Sequence, residues 1–371
     1  MLANQALLLK SHRDLDTIVR TDRRRCFVSG WHVENPLASE YLDAHDLMTT
    51  VGAGASKYQF LSDSRDVSRS IIRFHRKIDR VEYAEGEIFV APGSSPLILA
   101  VMTTLHRRGV RRICYFPPVY YAFFYWASVF GIEMVPVTQQ WPALDPVDVP
   151  LPPDGSVLLF SDPAWVVGRF LDAELIQAIA RWQSRTGSLV VVDGTFQYTK
   201  WDPAVRTEFT SHLDKRWTLR MVCPTKALGV NGIRFAYLLL PAGLRDDIRY
   251  VASNSSGASD GFSVAAASRV MDVLNGDQGN ARFVACVRAR SDALTGVLHQ
   301  EQAFQPTCTY YVFAPLLARA EDCITMDGRF FEGPDRSGVR INLMLPQAEL
   351  DKLSGASPSR GGEVRQVRRR R

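Results

Sequence analysis

The stretch "EIFVAPGSSPLILAVMTTLHRRGVRRICYF", residues 87–116, decides the fold. A short, wholly apolar run from Ile88 to Ala91 breaks at Pro92 and Gly93. An apolar-rich segment of helical length follows, and a second short run ends at Phe116. Strands this uniformly apolar are buried on both faces, the signature of a largely parallel sheet covered by helices. The pattern then repeats. "VYYAFFYWASVFG" (119–131) and "DAELIQAIARWQSRTG" (172–187) predict helices. "IEMVPV" (132–137), "SVLLFSDP" (156–163), "SLVVVDGTF" (188–196), "TLRMVC" (218–223) and "GIRFAYLLLP" (232–241) predict strands. The expected class is α/β: a large domain with a mainly parallel central sheet covered by helices.

Beyond about residue 250 the texture changes. "SNSSGASDGFS" (253–263) reads as a polar loop, and "VAAASRVMDVLNG" and "ARFVACVRARSDALTGVLHQ" read as helices. "TYYVFAPL" and "GVRINLML" read as strands on either side of the turn-rich "DGRFFEGPDRSG". A smaller α+β domain is expected over 251–355, joined by an N-terminal segment 1–45, with the large domain over 46–250. The Pro-rich "PALDPVDVPLPPDG" (142–155) reads as a surface connection.

Composition narrows the function classes. At 371 residues, 46% hydrophobic and 22% charged, the chain is an ordinary globular protein with room for two or three cores. Its net charge of +5 is carried entirely by residues 356–371, "ASPSRGGEVRQVRRRR", with six arginines and one glutamate. The body is therefore neutral, which argues against a nucleic-acid-binding fold and leaves the end as a disordered basic tail. Six scattered cysteines form no C-x-x-C pair and no zinc spacing, as expected of reduced thiols in a cytoplasmic protein. No apolar run is long enough to span a membrane. No G-x-G-x-x-G links a strand to a helix at the spacing of a dinucleotide site.

Five motifs carry chemistry. In the opening stretch Gly93, Ser94, Ser95 and Pro96 start a helix, whose unpaired N–H groups and positive dipole end suit a phosphate. "YFPPVYYAFF" follows the next strand with Tyr120. "LVVVDGTF" ends a strand on Asp193, a carboxylate expensive to bury without a partner. "CPTKALGVNGIRFAY" (223–237) holds Lys226 and, eight positions on, Arg234. "SGVRINLML" sets Arg340 inside an apolar strand.

In order and spacing these segments resemble the fold-type I pyridoxal-phosphate enzymes, especially class I/II aminotransferases of the histidinol-phosphate and aspartate aminotransferase kind. The resemblance covers roughly residues 30 to 350. It implies that Lys226 forms a Schiff base with pyridoxal 5'-phosphate and later moves the substrate's Cα proton. It implies that Arg234, the Gly93–Ser94–Ser95 turn, Cys223 and Thr225 surround the phosphate, Arg being suited to that role by its planar fork. Tyr120 would stack on the cofactor ring. Asp193 would keep the ring nitrogen protonated, so that the ring accepts electrons. Arg340 would clamp the substrate α-carboxylate. Tyr58 in "SKYQFLSD" sits near the tyrosine that relatives send across a dimer interface, which implies a homodimer with shared active sites.

The chain also departs from that pattern. The loop usually written N-P-x-N-P-T-G aligns with "DPAWVVG" (162–168), placing Trp165 where an asparagine normally contacts the cofactor's phenolic oxygen. Phe196 stands where a tyrosine normally contacts the same oxygen, and Cys223 where a serine is frequent. A shift of register would offer Asp162 or Tyr198 to that oxygen instead. Transamination of an α-amino acid is the expected reaction; elimination, replacement, cyclisation or carbon–carbon bond formation on an amino acid is the alternative that the lost donors raise.

Overall fold

The computed structural model describes residues 26–42, 47, 51, 60, 64–143, 149–202, 209–256, 261–294, 306–314, 323–324, 326–327, 331 and 338–354. Tyr58 and the basic tail lie outside the described residues.

Twelve strands occur among them: β1 (Cys26–Phe27), β2 (Ile88–Ala91), β3 (Arg112–Tyr115), β4 (Glu133–Pro136), β5 (Val157–Ser161), β6 (Val190–Gly194), β7 (Thr218–Val222), β8 (Ala236–Leu239), β9 (Tyr311–Ala314), β10 (Cys323–Ile324), β11 (Met326–Asp327) and β12 (Val339–Asn342). Seven of them form one sheet in the order β2-β8-β7-β6-β5-β3-β4. All its neighbours are parallel except β8, which runs antiparallel to both β2 and β7. Every residue of β2, β5, β6, β7 and β8 is buried, which is why these runs lack polar alternation.

One sheet face packs on the helices Ser94–Arg107, Tyr121–Phe130 and Arg245–Ser256 through residues such as Leu97, Phe123 and Ile248. The other meets the helix Arg65–Ile78 and a core that runs without a break into the second sheet, from Phe160 and Val192 to Tyr311 and Ile341. That second sheet is three-stranded, β11-β12-β9, and antiparallel. Among the described residues no helix is long and apolar enough to cross a membrane.

The polar segment 253–263 is not a plain loop. Its first four residues complete the helix Arg245–Ser256 and its last three open the helix Gly261–Asn275. Low apolar content hid these turns, which are held by packing elsewhere along the same helices. The helix Arg65–Ile78, capped by Ser64, also escapes a reading that starts at residue 87. The strand expected from Gly232 is shorter, because Gly232 to Phe235 only lead into β8.

Candidate active site

The parallel strands and the single antiparallel one share an edge. The C-terminal ends of β2, β5, β6 and β7 point the same way as the N-terminal end of β8, and in open α/β sheets the crevice beyond the carboxyl ends is where ligands bind. Four of the five motifs leave the large sheet there. Ala91 pairs with Ala236, so the turn after β2 and the lead into β8 are neighbours although 140 residues of sequence lie between them.

That pairing explains the Gly93–Arg234 contact. Gly93 is the N-cap of the 14-residue helix Ser94–Arg107 and has φ +101, a region that side chains strain to enter. A Cβ there would lie 2.6 Å from Arg234 Nη2. The guanidinium thus lies against a helix N-terminus, with Nη1 donating to Asn231 O at 3.2 Å. A cation beside unpaired N–H groups at a dipole's positive end is a cradle for a doubly charged anion. Ser94 is half-buried and Ser95 exposed at its rim. Thr225 and Cys223 are buried nearby in sequence, and the Cys223 thiol lies 3.3 Å from Thr225 Oγ1 and 3.5 Å from Phe235 O.

Lys226 sits in the one-turn helix Pro224–Ala227 that follows β7. The turn behind it is pinned: Asn35 Nδ2 donates to Leu228 O at 2.6 Å and Asn280 Nδ2 to Ala227 O at 3.1 Å. Gly229, at φ +63, lets Phe283 pack where a Cβ would come within 2.4 Å of its ring. The Lys226 ammonium lies 4.6 Å from the Phe196 ring centroid. Burial pushes its pKa down, Cys223 and Asp193 oppose this, and Arg234 and Arg340 add to it. An amine released from full protonation is a better nucleophile and base.

Asp193 ends β6, is buried, and accepts from Thr195 N at 3.2 Å. Burial raises its pKa, against the pull of Thr195 and Lys226. A buried carboxylate of this kind is a fitting partner for a ring cation. Tyr120 caps the helix Tyr121–Phe130 and its ring lies 6.0 Å from that of Trp165.

Arg340, on β12, is fully buried. Its Nη2 donates to Ser29 O and approaches Met326 Sδ at 3.6 Å, while Nε and Nη1 have no hydrogen-bond partner among the described residues. Rings enclose it: Trp31 at 4.0 Å, Tyr311 at 4.6 Å, Trp165 at 5.0 Å and Phe331 at 5.5 Å from Cζ. Asn342, two residues along the strand, donates to Gly30 O at 2.9 Å and His32 O at 2.6 Å, and so holds Trp31 over the guanidinium. Burial pushes Arg340 down to about 10, with no carboxylate opposing it among the described residues. Cation–π contacts offset part of that desolvation, at roughly 0.5–2 kcal/mol each. Burying a cation without a counter-ion is costly.

Trp165 and Phe196 are buried and nearly parallel, with centroids 6.4 Å apart at 12°. Neither alternative donor stands in for the missing pair. Tyr198 donates its hydroxyl to Asp79 at 2.6 Å, and the Asp162 carboxylate accepts from Leu171 N at 2.9 Å. The Trp165 indole itself offers a donor that the sequence reading overlooked: Nε1 is buried and unpartnered among the described residues. Trp31, Tyr311 and Phe331 were also missed, because their contacts with Arg340 are made between separate segments of chain and leave no local signal. Among the described residues no cluster of His, Cys, Asp or Glu fits a metal ion.

No curated relative matches the sequence. Solved structures do. The chain is similar to a methionine aminotransferase, YbdL, from Escherichia coli (15% identity, TM-score 0.75, 96% of each chain covered). It is similar to the aspartate aminotransferase of Rhizobium meliloti (16%, 0.75, 93% of each chain). It is also similar to N-succinyldiaminopimelate aminotransferase of Mycobacterium tuberculosis (18%, 0.72, 89% of this chain and 91% of that one). At these identities the likeness speaks for the fold. The family description "Aminotransferase class I and II" matches residues 51–354, most of the chain, and with the fold and the sheet-edge crevice it places this protein in the class I and II aminotransferase family, whose members are pyridoxal-phosphate-dependent enzymes.

Proposed function

We propose that this protein binds pyridoxal 5'-phosphate through Lys226 and transaminates an α-amino acid. The observation that carries the proposal is the convergence, at one end of the large sheet, of an amine with depressed pKa, a buried carboxylate and an arginine lying on a helix N-terminus, together with a buried arginine of the second sheet that has no counter-ion among the described residues. In this reading Lys226 is the covalent attachment point. Arg234, Gly93, Ser94, Ser95, Thr225 and Cys223 hold the phosphate, Asp193 faces the ring nitrogen, and Tyr120 lies against the ring. When bound, the cofactor supplies an aldehyde carbon and a ring that accepts an electron pair.

The chain's own residues do the rest. Arg340 orients the substrate carboxylate, so that the bond to be broken is presented in one geometry. The rings around Arg340 exclude water and strengthen that contact. Lys226, held by its pinned turn, takes and returns the proton of the substrate Cα. Asp193 keeps a positive charge at the ring nitrogen.

The reading extends to a cytoplasmic homodimer with shared sites, built from a large domain over 46–250 and a smaller one over 251–355. The parallel Trp165/Phe196 pair favours a second reading, in which the same start leads to elimination, replacement, cyclisation or carbon–carbon bond formation. Purified protein loaded with pyridoxal phosphate, reduced with borohydride and peptide-mapped should carry the label on Lys226; a label elsewhere, or none, would sink the proposal. Incubation with amino acids and 2-oxoglutarate then separates the reactions, because only transamination must produce glutamate.

A further inference from the structure

Three donors in the site lack acceptors. They are Nε and Nη1 of Arg340 and Nε1 of Trp165, all buried and unpartnered among the described residues. They sit together: the guanidinium carbon is 5.0 Å from the Trp165 ring. Trp165 is walled by Trp31 at 5.8 Å, Tyr120 at 6.0 Å, Phe196 at 6.4 Å, Tyr311 at 6.0 Å and Phe331 at 5.7 Å. An indole N–H and a guanidinium only donate, so a group that serves all three must only accept. A carboxylate does, with two oxygens and about four lone-pair sites. Aromatic walls keep water out, and a hydrogen bond to an ionised acceptor gains most in such surroundings.

We propose that the indole N–H of Trp165 is a second donor to the substrate carboxylate, so that Trp165 and Arg340 grip one anion together. This rests on the aminotransferase reading of Arg340. Trp165 then acts as a binding residue in its own right, and the loss of the loop's asparagine is a change of donor instead of a loss of one. The aromatic face that comes with the indole also makes the carboxylate pocket drier than an amide would.

The test uses the full-length protein loaded with pyridoxal phosphate and, as probe, 3-phenylpropanoate, a carboxylate with no amino group to react. In a spectrum of the protein labelled with 15N at its tryptophan indoles, the peak missing from Trp165→Phe identifies Trp165. On titration of the unmutated protein that peak should move downfield and saturate with the binding curve. By calorimetry Trp165→Phe should weaken the probe roughly tenfold or more, whereas Trp165→Asn, which restores an N–H, should stay within about threefold of the unmutated protein. A Trp165 peak that does not move overturns the proposal. So does unchanged affinity in Trp165→Phe, including the case where that variant alters only the absorbance of the bound cofactor, which would assign the N–H to the cofactor's phenolic oxygen. Arg340→Gln separates the two claims. If it abolishes binding while Trp165→Phe does not, the reading of Arg340 stands and the role of Trp165 falls; if it leaves binding intact, the reading of Arg340 itself fails.

Discussion

Two arginines are fully buried among the described residues, Arg220 and Arg340, and they differ in one respect. Each leaves Nε and Nη1 without a hydrogen-bond partner among the described residues, so orphan donors alone do not separate them. The counter-ion does. Arg220, in β7, meets the Asp79 carboxylate at 2.8 Å, and Asp79 also contacts His75 at 2.8 Å and Tyr198 at 2.6 Å. The cavity beside Arg220, lined also by Thr210 and Thr218, is about 10 Å³ and has room for one water. Arg340 has rings where Arg220 has a carboxylate. Despite equal burial their pKa values move oppositely: burial lowers both, but Tyr198, Tyr83 and Asp79 carry Arg220 well above its ordinary value, while Arg340 is pushed down to about 10. In the proposed reading, the buried cation that the fold has already neutralised is part of the scaffold, and the one left uncompensated among the described residues meets a ligand.

Breaking each arginine should therefore break different things. Arg220→Met takes the guanidinium from the buried Asp79 carboxylate, leaving it only His75 and Tyr198, and should lower unfolding free energy by about 3–5 kcal/mol in denaturant titrations. The double variant with Asp79→Asn should recover much of the loss. Arg340→Met removes no ion pair, so its unfolding free energy should stay within about 1 kcal/mol of the unmutated protein, while carboxylate binding weakens by about 2–5 kcal/mol. Equal stability losses in the two variants would erase the distinction.

The buried carboxylates repeat the contrast and give it a pH signature. Burial raises Asp79, but Arg220, His75 and Tyr198 outweigh it and hold the group well below the usual carboxylate range. A depressed folded pKa gives stability that is present above about pH 4 and is lost as pH falls further. Asp162 has mainly the Leu171 N–H to oppose burial and is pushed up to about 6. The folded state then holds the proton that the unfolded state releases, so stability should fall as pH rises from about 4 to 6 and stay low above. Asp162→Asn should flatten that window and gain about 2–3 kcal/mol at pH 7, read from melting curves between pH 4 and 8. A pH profile unchanged by the substitution would refute the assignment.

The smallest expected effect concerns the other ligand-facing cation, Arg234. Gly93→Ala forces a side chain into φ +101 and against Arg234 Nη2. It should cost about 1–2 kcal/mol of stability and weaken inorganic phosphate or pyridoxal phosphate binding, measured by titration of the cofactor-free protein. Retained phosphate affinity would place the cradle elsewhere.

Much of this was legible from local pattern. Apolar runs of four or five residues gave the buried strands, since only a strand covered on both faces tolerates "VVV" before Asp193. The roles expected of Lys226, Asp193 and Arg234 came from the resemblance of their motifs to those of a known family. Illegible parts came from a different range of interaction. Nothing near Arg340 in sequence announces Trp31, some three hundred residues earlier, or the Asn342 side chain that holds it in place. The network of His75, Asp79, Tyr198 and Arg220 was equally hidden, because an arginine in "TLRMV" looks the same whether its partner is a substrate or an aspartate.

What the sequence determined by itself was the inventory and the order: which runs must be buried, which turns carry Gly and Lys, and which acid ends a strand. Periodicity and steric permissiveness act within a few residues, so the chain records them directly. Only the tertiary structure decided which buried charge is answered from within. That depends on bringing residue 79 to residue 220 and residue 31 to residue 340, contacts made by packing free energy between distant segments.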